Sequence, residues 1–101
     1  MGTLINYETS VTYHGEFENG KQTGSGVEMN KREDSEYEGV FKSGKKNGRG
    51  NYRKKGIGRY HGDFEKGLKE GFGRMEYENG DWYEGSWVNS VYHGKGVFLD
   101  S

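Results

Sequence analysis

Aromatic residues and glycines alternate along most of the chain in a frame that an α-helix would not use. Counting Tyr60 as position 0, glycines fall at +2, +7, +11 and +13, and a second aromatic residue falls at +4. Side chains at 0, +2 and +4 share one face of a strand, because β side chains alternate with period two. The frame occurs four times, 24, 23 and 23 residues apart, starting at Tyr13, Tyr37, Tyr60 and Tyr83. A fixed period of this size indicates a repeat architecture.

Each unit carries a turn signal at the same place, between two strand-like stretches. Asn19-Gly20 is typical of a two-residue type I′ turn, in which both residues need a positive φ. Ser43-Gly44 and Lys66-Gly67 occupy this position in the next two units, and Ser90 stands where the fourth glycine is expected. Each unit is therefore predicted to be a β-hairpin.

The turn also predicts how the two strands of the first unit pair. With Asn19-Gly20 as a two-residue turn, Gly15 is expected to lie opposite Gly24. Tyr13 is then expected opposite Gly26, so that the ring covers a residue without a side chain.

The connections between units need a different loop length to keep the tyrosines on one face. A two-residue loop would turn Tyr83 to the wrong face, since a one-residue slip reverses every side chain. A three-residue loop at 78–80, ending in a left-handed glycine, instead sets Met75 opposite Tyr83 and Gly71 opposite Trp87. The link at 54–58 is expected to be comparable.

The first link, within residues 29–36, contains the extra residue of the 24-residue step and must bulge or form a longer loop. Glu28 occupies its +15 position, and Met29 is expected to take over the inward role through such a bulge. The corresponding residues of the later units are Tyr52, Met75 and Phe98.

These positions resemble the MORN repeat (membrane occupation and recognition nexus), in which Tyr-x-Gly-x-Trp/Phe is followed by spaced glycines. The resemblance covers residues 13–98 and is clearest at 37–41 and 83–87. It is also carried by the glycine pairs Gly24/Gly26, Gly48/Gly50, Gly71/Gly73 and Gly94/Gly96.

The chain is accordingly expected to be a single repeat array over residues 1–101. A partial half repeat at 3–12 precedes repeats at 13–36, 37–59, 60–82 and 83–98. The expected fold is all-β, a single-layer antiparallel meander of about nine short strands, elongated and twisted. One face is striped with aromatic residues and glycines in a shallow groove, and the other is charged.

Composition agrees with a repeat array better than with a conventional globular core or a disordered chain. A mean hydropathy of −1.17 and 29% hydrophobic residues are low for a two-layer core, yet the net charge is only −1 and 15% of residues are aromatic. The absence of cysteine excludes disulfides and thiolate zinc sites. With no apolar run approaching a membrane span and no signal-peptide profile, a cytoplasmic location is expected.

No constellation of catalytic residues is present, so neither catalysis, a metal nor a cofactor is predicted. His14 and His61 occupy the same outward position in different units, too far apart to share a metal, and His93 stands alone near a turn. The paired glycines lack the third glycine and following helix of a phosphate-binding loop. A charged loop is favoured over a calcium site, because a twelve-residue calcium loop is not matched by the spacing of Glu33, Asp34, Glu36 and Glu38.

A basic segment spans residues 42–59 and contains eight of the fifteen basic residues with no acid among them. It is either a solvated surface or an attractor for an acidic protein tail or anionic lipid, and nucleic acid is the least favoured partner. Its members are Lys42, Lys45, Lys46, Arg49, Arg53, Lys54, Lys55 and Arg59.

The aromatic stripe has a structural role in covering glycines, and a partner could use it as well, because a single-layer sheet is expected to leave the rings partly accessible. Its members, the candidate partner-binding residues, are Tyr13, Phe17, Tyr37, Phe41, Tyr60, Phe64, Tyr83 and Trp87.

The favoured hypothesis is a non-enzymatic scaffold. It would bind a protein partner, either an extended or helical segment or a neighbouring scaffold subunit, along the aromatic groove or at the open edge strands, where self-association is also expected. The resemblance implies a cytoskeletal or ciliary assembly. The alternative is a peripheral membrane adaptor that binds anionic phospholipid through segment 42–59. A third hypothesis is a fragment that stabilises an enzyme in cis.

Overall fold

A computed structural model describes the backbone of residues 2–99, without the side chains of 92–95, 98 and 99. These residues form one sheet of nine antiparallel strands, each paired with its neighbours in sequence, and the whole measures 41 × 24 × 18 Å. The strands are β1 (Gly2–Asn6), β2 (Val11–Glu18), β3 (Lys21–Asn30), β4 (Ser35–Lys42), β5 (Lys45–Lys54), β6 (Gly58–Glu65), β7 (Leu68–Tyr77), β8 (Trp82–Val88) and β9 (Val91–Leu99). The predicted all-β, single-layer meander is confirmed.

The hairpin turns within the units have the predicted two-residue form. Glu18 pairs with Lys21 across the first, and Asn19 and Gly20 have φ values of 52° and 77°. The turn at 89–90 has the same two-residue form without a glycine, because Ser90 adopts a positive φ of 64°. Its hydroxyl accepts a hydrogen bond of 3.0 Å from the Lys69 amide, which ties this turn to the preceding unit.

The predicted register of the hairpins was wrong beyond their turn-proximal ends. Gly15 pairs with Gly26 and not Gly24, because Gly24 and Ser25 form a bulge in β3 and have no partner on β2, although both pair with β4. Gly24 permits the bulge by adopting a φ of 58°. Since the insertion is two residues long, side-chain alternation is preserved, and Tyr13 stays on the predicted face although it pairs with Glu28.

The bulge frees backbone groups, and outward acidic side chains bind some of them. The Glu16 carboxylate accepts a 2.6 Å hydrogen bond from the Ser25 amide, and Asp63 accepts one of 3.3 Å from Phe72. The sequence predicted only that this outer face is charged. The two carboxylates therefore also act as hydrogen-bond acceptors for backbone amides of exposed bulge residues.

The connections between units confirm the loop-length argument. Met75 pairs with Tyr83 and Gly71 with Trp87, across a three-residue loop whose Gly80 has a φ of 97°. The link at 54–58 is likewise a three-residue loop, because Lys54 pairs with Gly58.

The first link takes up its extra residue in a four-residue loop at 31–34, since Asn30 pairs with Ser35. The expectation that Met29 turns inward was therefore wrong. Glu28 keeps the inward position opposite Tyr37, and the Met29 side chain is 43% exposed. A longer loop absorbs the residue without disturbing the alternation on either strand.

One glycine from every strand lies in a single row across the sheet, which we call the glycine ladder. Each glycine pairs directly with the glycine of the next strand, as Gly62 does with Gly73. The row consists of Gly2, Gly15, Gly26, Gly39, Gly50, Gly62, Gly73, Gly85 and Gly96. The absence of side chains along this row leaves a channel on the inner face, and the tyrosine rings fill it.

Replacing a ladder glycine is expected to cost far more than replacing a turn glycine. A methyl group at Gly73 would overlap the Tyr60 ring, and we expect Gly73→Ala to lower the free energy of unfolding by about 3 kcal/mol. Gly67→Ala is the control. Its φ is 85° but nothing lies within 4 Å of the added methyl, so about 1 kcal/mol is expected from backbone strain alone. Urea unfolding measures both, and equal losses would contradict the steric role of the ladder.

Candidate interaction surface

The aromatic stripe forms one continuous stack on the inner face. Each tyrosine ring meets the +4 ring of its own unit edge to face, and Tyr13, Tyr37 and Tyr60 each also meet that of the next unit. Along the stack the ring centroids are 4.9 to 5.4 Å apart and the planes cross at 80° to 87°. This geometry is favourable for aromatic quadrupoles. The stack runs in the order Phe17, Tyr13, Phe41, Tyr37, Phe64, Tyr60, Trp87, Tyr83.

Each leading tyrosine is anchored at the far end of its ring. The Tyr60 hydroxyl donates to the carbonyl oxygen of Asp63 at 2.9 Å, and Tyr37 donates to Val40 at 2.8 Å. Burial raises the pKa of both phenols to about 12, because the phenolate would lose its hydration. Trp87 is held similarly, since its indole Nε1 donates to the Gly73 carbonyl oxygen at 3.1 Å.

The expectation that these rings are partly accessible to a partner was wrong for all but Phe17. The other seven members of the stripe are between 0% and 6% exposed. The reason is mutual coverage, because the leading tyrosine rings lie over bare glycine backbone and all the rings meet their neighbours edge to face. Their aromatic faces are therefore buried inside the folded protein.

A second set of side chains lies over the stack and forms the accessible part of the inner face. Lys46 extends over Tyr37 and Tyr52, with its ammonium 5.5 and 5.7 Å from the ring centroids, and it forms an ion pair of 3.5 Å with Glu28. We call this layer, formed by Glu28, Lys46, Tyr52, Lys69 and Tyr77, the cover layer.

Lys69 is the member of the cover layer in the most apolar surroundings. Its ammonium lies 5.5 Å from the ring centroid of Tyr60, 5.7 Å from that of Trp87 and 5.8 Å from that of Tyr52. Burial lowers the pKa of this ammonium, and the positive charge of Lys46 lowers it further. Beside it lies a pocket of about 340 Å³, walled by Met75, Tyr77, Trp87, Ile57, Ser90 and Val91.

The basic segment 42–59 does not form one surface. Arg49, Arg53 and Arg59 lie on the outer face, opposite the stack, Lys46 lies on the inner face, and the remaining lysines lie at the two ends of the strands. Four of the eight basic residues form ion pairs with acids from other parts of the chain. These pairs are Lys46–Glu28, Arg49–Asp63, Arg53–Glu36 and Lys55–Asp34.

The outer face carries charged side chains, several of which form ion pairs. Arg74 forms ion pairs with Glu76 and Glu84, and its guanidinium lies 4.3 Å from the Trp82 ring centroid. His14 and His61 both border a shallow groove of about 500 Å³ whose floor is the glycine ladder. His14 contacts the Thr3 hydroxyl, and His61 contacts Asn51.

No metal-binding group of three or more histidine or acidic side chains occurs within the described residues. Two of the acids at 33–38 have basic partners, because Asp34 forms an ion pair with Lys55 and Glu36 forms one with Arg53. The predictions for the side chains of His93 and Phe98 lie outside the described residues. The described part of the chain includes no helix with the length and apolarity that crossing a bilayer requires.

The raised phenol pKa values predict loss of stability at alkaline pH. Between about pH 10, where an unfolded tyrosine ionises, and pH 12, the unfolded chain binds fewer protons than the folded one. Stability therefore falls as pH rises, by up to about 1.4 kcal/mol per pH unit for each buried tyrosine. Tyr60→Phe should be about 1 kcal/mol less stable at pH 7 but should lose stability less steeply above pH 10. Urea unfolding of both proteins from pH 8 to 11.5 measures this difference. An equally steep loss of stability with pH in the two proteins would contradict the raised pKa of Tyr60.

Comparison with known proteins identifies the repeat. A comparison with curated proteins returned no match. The family model of the MORN repeat matches four segments, 13–29, 37–56, 60–82 and 83–101, and each begins at one of the four leading tyrosines. MORN repeats are non-enzymatic modules of protein or membrane interaction. With most of its length matched in four consecutive copies, the chain belongs to the MORN-repeat family.

Proposed function

We propose that this chain is a non-enzymatic scaffold that binds a segment of a partner protein along its inner face. One observation carries the proposal: the described residues form a single layer, so that side chains of the cover layer, and no second layer of backbone, lie over the aromatic stack. Sheets in soluble domains normally pack an apolar face against a second layer. A partner segment would supply the layer that this sheet lacks.

The contact would be made with the cover layer and not with the rings beneath it. Tyr52 and Tyr77 are partly buried and offer ring edges, while Ile57 is 49% exposed beside the pocket next to Lys69. Such a mixture of aromatic, aliphatic and cationic groups suits an amphipathic helix or an extended segment. The long dimension of 41 Å gives room for several helical turns.

The edge strands offer a second mode of association. β1 pairs only with β2, so one side of its backbone lacks a partner strand among the described residues, and Leu4 and Ile5 are each 49% exposed. Strand addition here would extend the sheet. We place the scaffold in the cytoplasm, in a cytoskeletal or ciliary assembly, and expect no catalysis.

Photo-crosslinking distinguishes the possible docking surfaces. We would place p-benzoylphenylalanine singly at Ile57 beside the inner face, at Val40 on the outer face and at Ile5 on the β1 edge. All three are similarly exposed, at 49%, 40% and 49%. In native extract, we expect one partner adduct from position 57, at least about fivefold stronger than from position 40, because interface centres exclude water and hold side chains closely. Adducts from position 40 alone would overturn the inner-face proposal, and adducts from position 5 alone would indicate strand addition.

The membrane alternative makes its own prediction. Because the basic segment is divided between faces and half of it is paired with acids, we expect less than about twofold enrichment on vesicles containing phosphatidylserine at low salt. Sedimentation of the wild type and of the Lys42→Glu/Lys45→Glu/Lys54→Glu variant tests this expectation. Strong, salt-sensitive sedimentation that the charge reversal abolishes would favour the membrane adaptor.

A further inference from the structure

The cover layer contains two lysines in equivalent positions of consecutive units, but their surroundings differ. Lys46 and Lys69 each lie at the +9 position, paired with Phe41 and Phe64 respectively, and both ammoniums flank the Tyr52 ring. The sequence alone placed Lys46 in the basic segment 42–59 and did not single out Lys69.

Lys46 has a counter-ion that Lys69 lacks. Glu28, at the +15 position of the preceding unit, forms the ion pair with Lys46. The residue in the equivalent place for Lys69 is Tyr52, which contributes a ring and no charge. No carboxylate of the described residues forms an ion pair with Lys69.

Aromatic rings stabilise the Lys69 ammonium without using its hydrogen-bonding capacity. Three ring faces within 5.8 Å attract the cation through their quadrupoles. An ammonium nevertheless carries three N–H donors, and a partly desolvated charge without an anionic partner is unfavourable. The lowered pKa of the Lys69 ammonium has the same cause, because burial removes water from around the charge. A bound anion would stabilise that charge.

We propose that Lys69, assisted by Lys46, forms a carboxylate-binding site on the inner face, and that the partner segment is therefore acidic. The inference rests on the proposed function and specifies its chemistry. The adjoining pocket of about 340 Å³ accommodates a side chain, and its Met75, Trp87 and Ile57 walls suit the aliphatic stem of a glutamate or a neighbouring leucine.

The walls favour a protein carboxylate over a phosphate. Phosphate sites in proteins commonly use arginine forks or backbone amides at a helix N-terminus, and the pocket beside Lys69 is lined by neither. The two lysines lie on β5 and β7, two strands apart and so about 10 Å along the array. Glutamates seven residues apart on a helix have about the same separation.

The probe is a synthetic helical peptide with two glutamates seven residues apart among leucines and alanines, and its matched control has glutamines instead. Trp82→Phe removes the tryptophan that lies against Arg74, so that Trp87, beside Lys69, reports binding by fluorescence. We expect the glutamate peptide to bind about tenfold more tightly than the glutamine peptide, because a charge-assisted contact replaces a neutral one.

Variants of single lysines assign the effect. Lys69→Met should remove the glutamate preference, Lys46→Met should reduce it about threefold, and Lys69→Arg should retain most of it. Lys45→Met is the matched control, because it removes the same charge from an exposed site at the hairpin end of the same strand as Lys46. The methionine keeps the stem that packs on the rings, and an unchanged urea midpoint checks folding.

Several results would overturn the acidic-segment proposal. These are equal binding of the two peptides, no binding of the glutamate peptide, an equal loss in Lys45→Met, or tighter binding of inorganic phosphate or phosphatidylserine vesicles than of the glutamate peptide. The crosslinking experiment does not depend on Lys69. Inner-face adducts with no glutamate preference would therefore leave the proposed function standing and remove only this inference.

Discussion

The structure depends on one contact that is repeated four times: a tyrosine ring laid across a glycine pair at the point where the hairpin bulges. Each component requires the others. The two-residue bulge shifts the register so that ladder glycines meet, as Gly62 meets Gly73. The glycines leave space for the ring, and the ring's hydroxyl binds the carbonyl at the bulge, as Tyr60 binds Asp63. A single sheet thereby buries aromatic surface without a second layer.

This arrangement separates a buried aromatic stack from the accessible side chains on the same face. The rings that a reader of the sequence would select as partner anchors are buried by one another and by the backbone. The cover layer above them is less regular, because the +15 position contributes a glutamate and a tyrosine to it in the first two units, whereas the third unit has the buried Met75 there. Variation at a position that the repeat does not constrain is where one array can differ from another in what it binds.

The basic residues are also divided between different parts of the sheet. The dense basic run of the sequence disperses over two faces and two ends of the sheet, and strand pairing brings acids from distant positions beside four of its members. The Lys69 ammonium differs from these four, because the repeat places aromatic rings beside it instead of a carboxylate. Its partly desolvated charge, next to that of Lys46, contrasts with the solvated charges of the rest of the basic segment.

The sequence alone determined the repeat, the all-β class, the turn types and the face of the tyrosines, because alternation with period two and the turn chemistry of Asn19-Gly20 are local properties. Only the tertiary structure decided the register beyond the bulge, the burial of the rings and the ion pairs. Those depend on contacts between strands of different units, such as Glu28 with Lys46, whose geometry no local pattern encodes. A bulge that inserts an even number of residues also leaves the alternation of inward and outward side chains unchanged, so the pattern of apolar residues could not reveal it.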